Sequence, residues 1–280
     1  MSNLKVCWTR FMTFEQRYGP WALVTGASSG IGAEFAHQLA ERGLNLILVA
    51  RRKPRLDDLA QRLEEKNGIQ VRTVRVDLSQ PDFMPVIHSA TRSIEVGLLV
   101  NNAGIGLAGD FLDHPLEREI ELMAVNCRAP MILTHALGRK MRERKRGGII
   151  FVSSVSGYLA TPSEASYAAS KAYELFLAES LWYEAGKYGV DVLALCPGNT
   201  TTEFHELAGI KNLASMPTRP VVAAALKKLG KKPSVVTGLH NRLLAAAVKF
   251  APRRIVTIQA GRVMKKLVVT RAGNPGGIRT

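Results

Sequence analysis

The sequence predicts an α/β fold, an open, parallel, doubly wound sheet, and three observations predict it. Short runs rich in Val, Ile and Leu recur from Trp21 onward, longer segments of helical periodicity separate them, and several of the short runs are apolar on both faces. A strand is apolar on both sides when helix layers cover both faces of its sheet, which is the signature of repeated βαβ units.

In chain order the strand segments are 21–26 (WALVTG), 44–50 (LNLILVA), 71–76 (VRTVRV), 98–102 (LLVNN), 147–153 (GGIIFVS) and 190–196 (VDVLALC), with 234–238 (SVVTG) the weakest of the seven. The segments between them have crossover length. They include EFAHQLAERG after the first strand, LDDLAQRLEEKNG after the second, and the long EREIELMAVNCRAPMILTHALGRKMRERK, read as one helix, before the fifth. Neither an internal repeat nor a linker interrupts residues 1–206. The Pro-containing stretch 213–220 is the boundary candidate, and it reads equally as a lid.

With 280 residues, 46% of them hydrophobic and 22% charged, the chain can bury a substantial core and does not have the composition of a disordered protein. Cys7, Cys127 and Cys196 lie far apart without metal-ligand or CxxC spacing, so they read as reduced, buried thiols; the six His show no clustered spacing either, and no metal site is expected. The first 21 residues carry charges throughout, and nowhere does an apolar run approach the ~20 residues of a membrane-spanning helix, so a cytoplasmic protein is expected.

The net charge of +15 is located in one place. Residues 207–280 hold 15 of the 38 Lys and Arg and no Asp or Glu, which leaves the first 206 residues balanced at 23 of each sign.

The first strand runs directly into Gly26-Ala27-Ser28-Ser29-Gly30-Ile31-Gly32 and then a helix. Glycine there lets the backbone turn tightly against a pyrophosphate, whose charge sits on the N–H groups of the helix N-terminus. Arg51-Arg52 ends the second strand, where a guanidinium can pair with a ribose 2′-phosphate and a carboxylate would repel it, so NADP(H) is preferred over NAD(H). The alternative is a pair of ordinary surface arginines heading a helix. Asp77-Leu78 and Asn101-Asn102-Ala103-Gly104 follow the third and fourth strands, as ligand contacts or as plain turn chemistry.

Beyond the fifth strand, Tyr167 and Lys171 stand four apart on a helix and share a face, so an ammonium beside the phenol would lower its pKa toward the working range of an acid/base catalyst. Ser154 lies at a strand end facing the same crevice. Asn126, a polar residue in an apolar segment, has a reason to be there if it bends its helix and holds a water near Lys171. Singly, each of the four reads as well as a structural residue.

Taken in order, TGASSGIG, NNAG, Asn126, Ser154, YAASK and PGNTTT (197–202) make the chain resemble the short-chain dehydrogenase/reductase family over about residues 18–206. The resemblance implies a seven-stranded Rossmann-type sheet, a nicotinamide cofactor, and hydride transfer to or from a secondary alcohol carbon. By the same resemblance Tyr167 is the proton donor and acceptor, Ser154 orients the carbonyl, Lys171 holds the nicotinamide ribose, and Asn126 anchors a proton-relay water. Pro197, Gly198, Thr200 and Thr202 would line the nicotinamide pocket, and the long helices bearing Asn126 and Tyr167 would form the faces of a homodimer or homotetramer.

YGPWALVTGASSG, PGNTTTEF and the C-terminal extension are similar to a bacterial subgroup related to 3-oxoacyl and ketosteroid reductases. The expected protein is thus an NADP(H)-dependent reductase of a lipophilic ketone or aldehyde, with residues 1–206 as its binding and catalytic core and 207–280 as lid, last strand and basic helical extension. A reading from another class is an NADP(H)-binding scaffold or membrane-associated redox sensor with vestigial chemistry.

The extension contains LHNRLLAAAVKF and RRIVTIQAGRVMKKLVV, each patterned as an amphipathic basic helix. Three readings stand: a flap packed on the core or on a subunit mate, an interfacial anchor in which residues 239–270 meet anionic lipid at the inner face of a membrane, and a nucleic-acid contact. The last is the weakest, because few aromatics interleave the charges.

Overall fold

The computed structural model describes residues 12–210 and 215–268. A short helix α1 (Phe14–Tyr18), opened by a capping box between Thr13 and Gln16, leads into β1 (Trp21–Thr25). There follow α2 (Gly30–Ala40), β2 (Asn45–Ala50), α3 (Lys53–Asn67), β3 (Val71–Arg75), α4 (Met84–Thr91) and β4 (Val96–Asn101). The second half runs α5 (Leu116–Met123), α6 (Ala129–Arg144), β5 (Gly147–Val152), α7 (Ala165–Gly186), β6 (Val190–Cys196), α8 (Phe204–Ala208), α9 (Thr218–Lys228), β7 (Ser234–Val236), α10 (Leu239–Ala247) and α11 (Arg253–Leu267).

All seven strands pair in parallel, in the order β3-β2-β1-β4-β5-β6-β7. The chain moves from β1 outward to β3 and then resumes on the other side at β4. The crevice outside the carboxyl ends of β1 and β4 is therefore the topological switch point, where doubly wound sheets take their ligands.

Every residue of β1, β4 and β5 is buried, as strands covered on both faces require. Side chains alternate between two cores: Leu46 and Leu48 of β2 pack with Phe35 and Leu39 of α2, whereas Ile47 and Val49 join Phe151 and Leu137 on the other face. Each such side chain contributes about 1.5–3 kcal/mol on burial, so a helix layer lost from either face would expose several at once. Cys127 and Cys196 are free and buried. Cys7, the beginning of the 213–220 stretch and the end of the basic tail lie outside the described residues.

One expectation gains detail and one needs correction. The long segment before β5 is helical throughout, with a π-turn over 124–128 between α5 and α6. Asn126 sits in it, fully buried, with its Oδ1 accepting from the Ile105 N–H and its Nδ2 donating to the Ile105 carbonyl and to Ser170 Oγ. The wider turn aims this amide at the loop after β4, a use of π-turns that recurs at functional sites. The last strand is also shorter than 234–238, pairing with β6 only over Ser234–Val236.

The two basic segments form α10 and α11, and both lie on the core in the manner of a flap. Ala245 and Met264 are their buried contacts, and Gly261 passes so close to Pro162 that a Cβ there would stand 3.3 Å from its Cγ.

Candidate active site

Gly26 and Gly30 take positive φ, 65° and 58°, which a side chain would resist. A Cβ on Gly26 would stand 2.8 Å from Ala103 Cα, and one on Gly32 would stand 2.3 Å from the Gly26 carbonyl oxygen. Gly26, Ser28, Ser29, Gly30 and Ile31 line a cavity of about 530 Å³; Gly32 lies behind them and lets α2 close on the turn. Ser29, at the N-cap of α2, makes no side-chain capping bond, so the N-terminus of the helix is left open to an anion. Asn102 braces the same turn, its Nδ2 donating to the carbonyls of Thr25 (2.8 Å) and Gly26 (3.2 Å).

Arg51 and Arg52 both reach this end of the cavity, in different ways. Arg52 is built in: its guanidinium donates to Ser28 Oγ at 3.2 and 3.0 Å and to Ser29 Oγ at 2.8 Å, while its remaining arm holds Glu203 at 2.8 Å. Arg55 grips the same carboxylate at 2.6 Å, and these bonds hold Glu203 below the usual carboxylate range. Arg51 is more exposed and meets Glu121 at 3.4 Å. Asp77 and buried Leu78 complete the wall. Burial works to raise the Asp77 carboxyl, but hydrogen bonds from the Ser79 N–H and hydroxyl and the charge of Arg51 bring it below its ordinary value. The glycine cradle and the uncapped helix end fit the pyrophosphate of a dinucleotide, and the arginine pair stands beside them with Glu121 and Glu203 as its partners.

At the other end the cavity meets Ser154, Tyr167 and Lys171. Ser154, at the carboxyl end of β5, also accepts from the Ser156 N–H. Lys171 is 4% exposed and donates to the Val152 carbonyl and to Glu174 Oε2, each at 2.9 Å. Its Nζ stands 5.7 Å from the centroid of the Tyr167 ring. A Cβ on Gly104 would lie 3.3 Å from that Nζ and 3.4 Å from Asn126 Oδ1, so the bare glycine keeps open the space between the ammonium and the amide.

The lowered phenol pKa expected from the Tyr167/Lys171 spacing is not found. Burial pushes the phenol up, Glu164 and Glu174 push it further, and only the hydrogen bond with Ser154 pulls it down. Burial of the ring is the main cause, and Glu174, one turn along α7 and 1% exposed, adds to it while engaging the ammonium. Burial raises the Glu174 carboxyl, and the Lys171 charge opposes that rise. Removing one partner of a buried pair strands the other. Lys171→Met is expected to cost about 3 kcal/mol or more in denaturant unfolding at pH 8, and Lys171→Met/Glu174→Leu to regain most of it.

Pro197, Gly198, Thr200 and Thr202 follow β6 and line the cavity. Gly30 faces Thr202, and Gly198 faces Asn241 of α10, whose Nδ2 would be 2.1 Å from a Cβ there. Sequence reasoning missed the outer wall: Glu164, Phe204, Leu207, Ile210, Met264 and Leu267. The Phe204 ring lies 5.3 Å from that of Tyr167. Glu164, three residues before Tyr167, was detectable from helical spacing; Met264 and Leu267, nearly 100 residues away, carried no local signal.

Glu164 is 6% exposed, and burial alone raises its carboxyl to about 7. A carboxyl whose folded pKa lies above its unfolded value binds a proton more tightly when folded. Its stabilising contribution is present below about pH 4.5 and lost as pH rises through 7. Glu164→Gln is expected to flatten the fall in melting temperature between pH 5 and 8.

The sequence profile of the short chain dehydrogenases matches residues 20–211. A 7beta-hydroxysteroid dehydrogenase of Clostridium sardiniense is 34% identical over 239 residues, 82% of this chain and 90% of its own. A very-long-chain 3-oxoacyl-CoA reductase-A of Danio rerio is 34% identical over 241 residues, 82% of this chain and 75% of its own. Among solved structures, a short-chain dehydrogenase from Sphingobium yanoikuyae in complex with NADPH aligns with a TM-score of 0.76 at 33% identity, covering 91% of this chain and 99% of that one.

Proposed function

Because the chain belongs to the short-chain dehydrogenase family, whose members are oxidoreductases, we propose that it is an NADP(H)-dependent reductase of a lipophilic ketone. The observation that carries this reading is one continuous cavity with Arg51 and Arg52 at one end, Ser154, Tyr167 and Lys171 at the other, and an apolar wall of Phe204, Leu207, Ile210, Met264 and Leu267 beyond them. Relatives named for steroid and 3-oxoacyl substrates, and a neighbour that binds NADPH, support the same class.

The nicotinamide, when bound, supplies the hydride. The rest falls to the chain. Ser154 donates a hydrogen bond to the substrate oxygen as negative charge develops there, and Tyr167 delivers the proton. Lys171 holds the ribose hydroxyls, with Glu174 and the Val152 carbonyl fixing its position. Asn126, anchored on Ile105, connects the Lys171 ammonium to the proton supply through the space that Gly104 leaves open. The apolar wall excludes water and selects a hydrophobic substrate. A screen of aliphatic, aromatic and ring ketones that follows NADPH absorbance tests the reading; no oxidation with any of them would favour the scaffold reading.

Assembly follows from the same family, and the reading is a dimer or tetramer built on α6 and α7, where Met131, Phe176 and Tyr183 are exposed. Sedimentation velocity tests it. A second reading, of location, rests on Leu239, Leu243 and Phe250, exposed beside Arg242, Lys249, Arg253 and Arg254. No helix among the described residues is long and apolar enough to cross a membrane, so this surface would lie on anionic lipid and not in it. Co-sedimentation with anionic vesicles but not neutral ones, lost at high salt, is the expected result.

A further inference from the structure

Glu164 is a largely buried residue on the wall of the cavity. It occupies the N-cap of α7 without a side-chain capping bond, and among the described residues neither an ion pair nor a hydrogen bond engages its carboxyl. Its backbone is engaged, with the N–H donating to the Thr161 carbonyl and the carbonyl accepting from Ala168, so the residue is fixed in place while its side chain faces the cavity. Ser163 before it holds a left-handed φ of 63°. The residue is only 6% exposed and lines the cavity that contains Tyr167, sharing it with Phe204, Met264 and Leu267, none of which can donate a hydrogen bond. A polar group set beside apolar residues can discriminate between substrates of the same shape.

We propose that Glu164 is the specificity-determining residue of the substrate cavity, accepting a hydrogen bond from a hydroxyl that the ketone carries away from its reacting carbonyl. The proposal rests on the reductase reading and narrows it: the substrate is a hydroxylated lipophilic ketone. A hydroxyl suits the site better than a cation. Burial leaves the carboxyl near neutrality and not fixed as an anion, both of its protonation states accept from an alcohol, and an ammonium would have to shed its water against apolar walls. A substrate carboxylate is disfavoured at this position by like charge. A site built to bond a hydroxyl penalises the analogue that lacks it, because its own polar group is then left buried and unpaired.

The test is titration calorimetry on the full chain carrying Tyr167→Phe and loaded with NADP⁺, in which neither the ketone nor a hydroxyl of the probe is turned over appreciably. The probes are a saturated steroid monoketone and its monohydroxylated isomers with the hydroxyl at different ring positions. At least one isomer is expected to bind tenfold or more tightly than the parent. Glu164→Leu should reduce that gap to about twofold while binding the parent at least as well, and should melt higher than the natural protein. Glu164→Gln, which keeps an acceptor and the side-chain shape, should retain a preference for the same isomer. The proposal fails if no isomer is preferred, or if the preference survives in Glu164→Leu. NADPH oxidation with the parent ketone is measured separately: turnover without a hydroxyl preference overturns the role of Glu164 alone, and a preference without turnover overturns the reductase reading alone.

Discussion

Tyr167→Phe is expected to lower kcat by about three orders of magnitude while leaving NADPH affinity within a few fold, since general acid catalysis at a positioned group is worth roughly 10²–10⁴. The substitution removes one oxygen from a buried ring and leaves its packing on Phe204 intact, so the protein should fold as before. The raised phenol pKa gives the expectation a direction. A phenol held in its protonated form is a ready acid at neutral pH, which suits reduction of a ketone; the reverse reaction needs the phenolate. Alcohol oxidation should therefore rise with pH across the alkaline range, while ketone reduction should not. Stopped assays in both directions check this, and full turnover by the Phe variant would remove Tyr167 from the chemistry.

Arg52→Ala is expected to weaken NADPH about 100-fold and NADH no more than about threefold, as judged by fluorescence titration of each cofactor. A hydrogen bond to a charged group is worth about 1.5–3 kcal/mol, and Arg52 is held for such a contact by Ser28 and Ser29. Arg51→Asp should act in the same direction with a smaller factor, because that side chain is more exposed and its ion pair is longer. Equal losses for the two cofactors would refute the assignment of the arginines to a 2′-phosphate. Glu203, clasped by Arg52 and Arg55, shows that this pair already binds an anion.

Much of this was legible in the sequence because the governing patterns are local. Strands buried on both faces announce themselves as Val, Ile and Leu runs, and Gly26 and Gly30 mark a turn whose φ values few other residues tolerate. The order of Asn126, Ser154, Tyr167 and Lys171 likewise needed no coordinates. What escaped depends on offsets or distances a linear pattern does not encode. The π-turn at 124–128 adds one residue to a turn inside a segment whose apolar periodicity continues on both sides. Glu174 stands at the spacing of an ordinary helical ion pair, and only its burial reveals that it competes with Tyr167 for the influence of Lys171. Met264 belongs to the cavity because α11 packs back on Pro162, Ala208 and Ile210.

That return of the chain separates two kinds of inheritance. The residues proposed for proton transfer all precede the seventh strand, whereas Met264 and Leu267 line the cavity from beyond it, and Asn241 of α10 stands against Gly198. Part of the substrate wall can thus be exchanged as a terminal cassette, while Glu164, Phe204, Leu207 and Ile210 stay with the core. Chimeras joined at Gly238, each carrying a different C-terminal segment on this same core, would sort ketones differently while consuming NADPH by one unaltered mechanism.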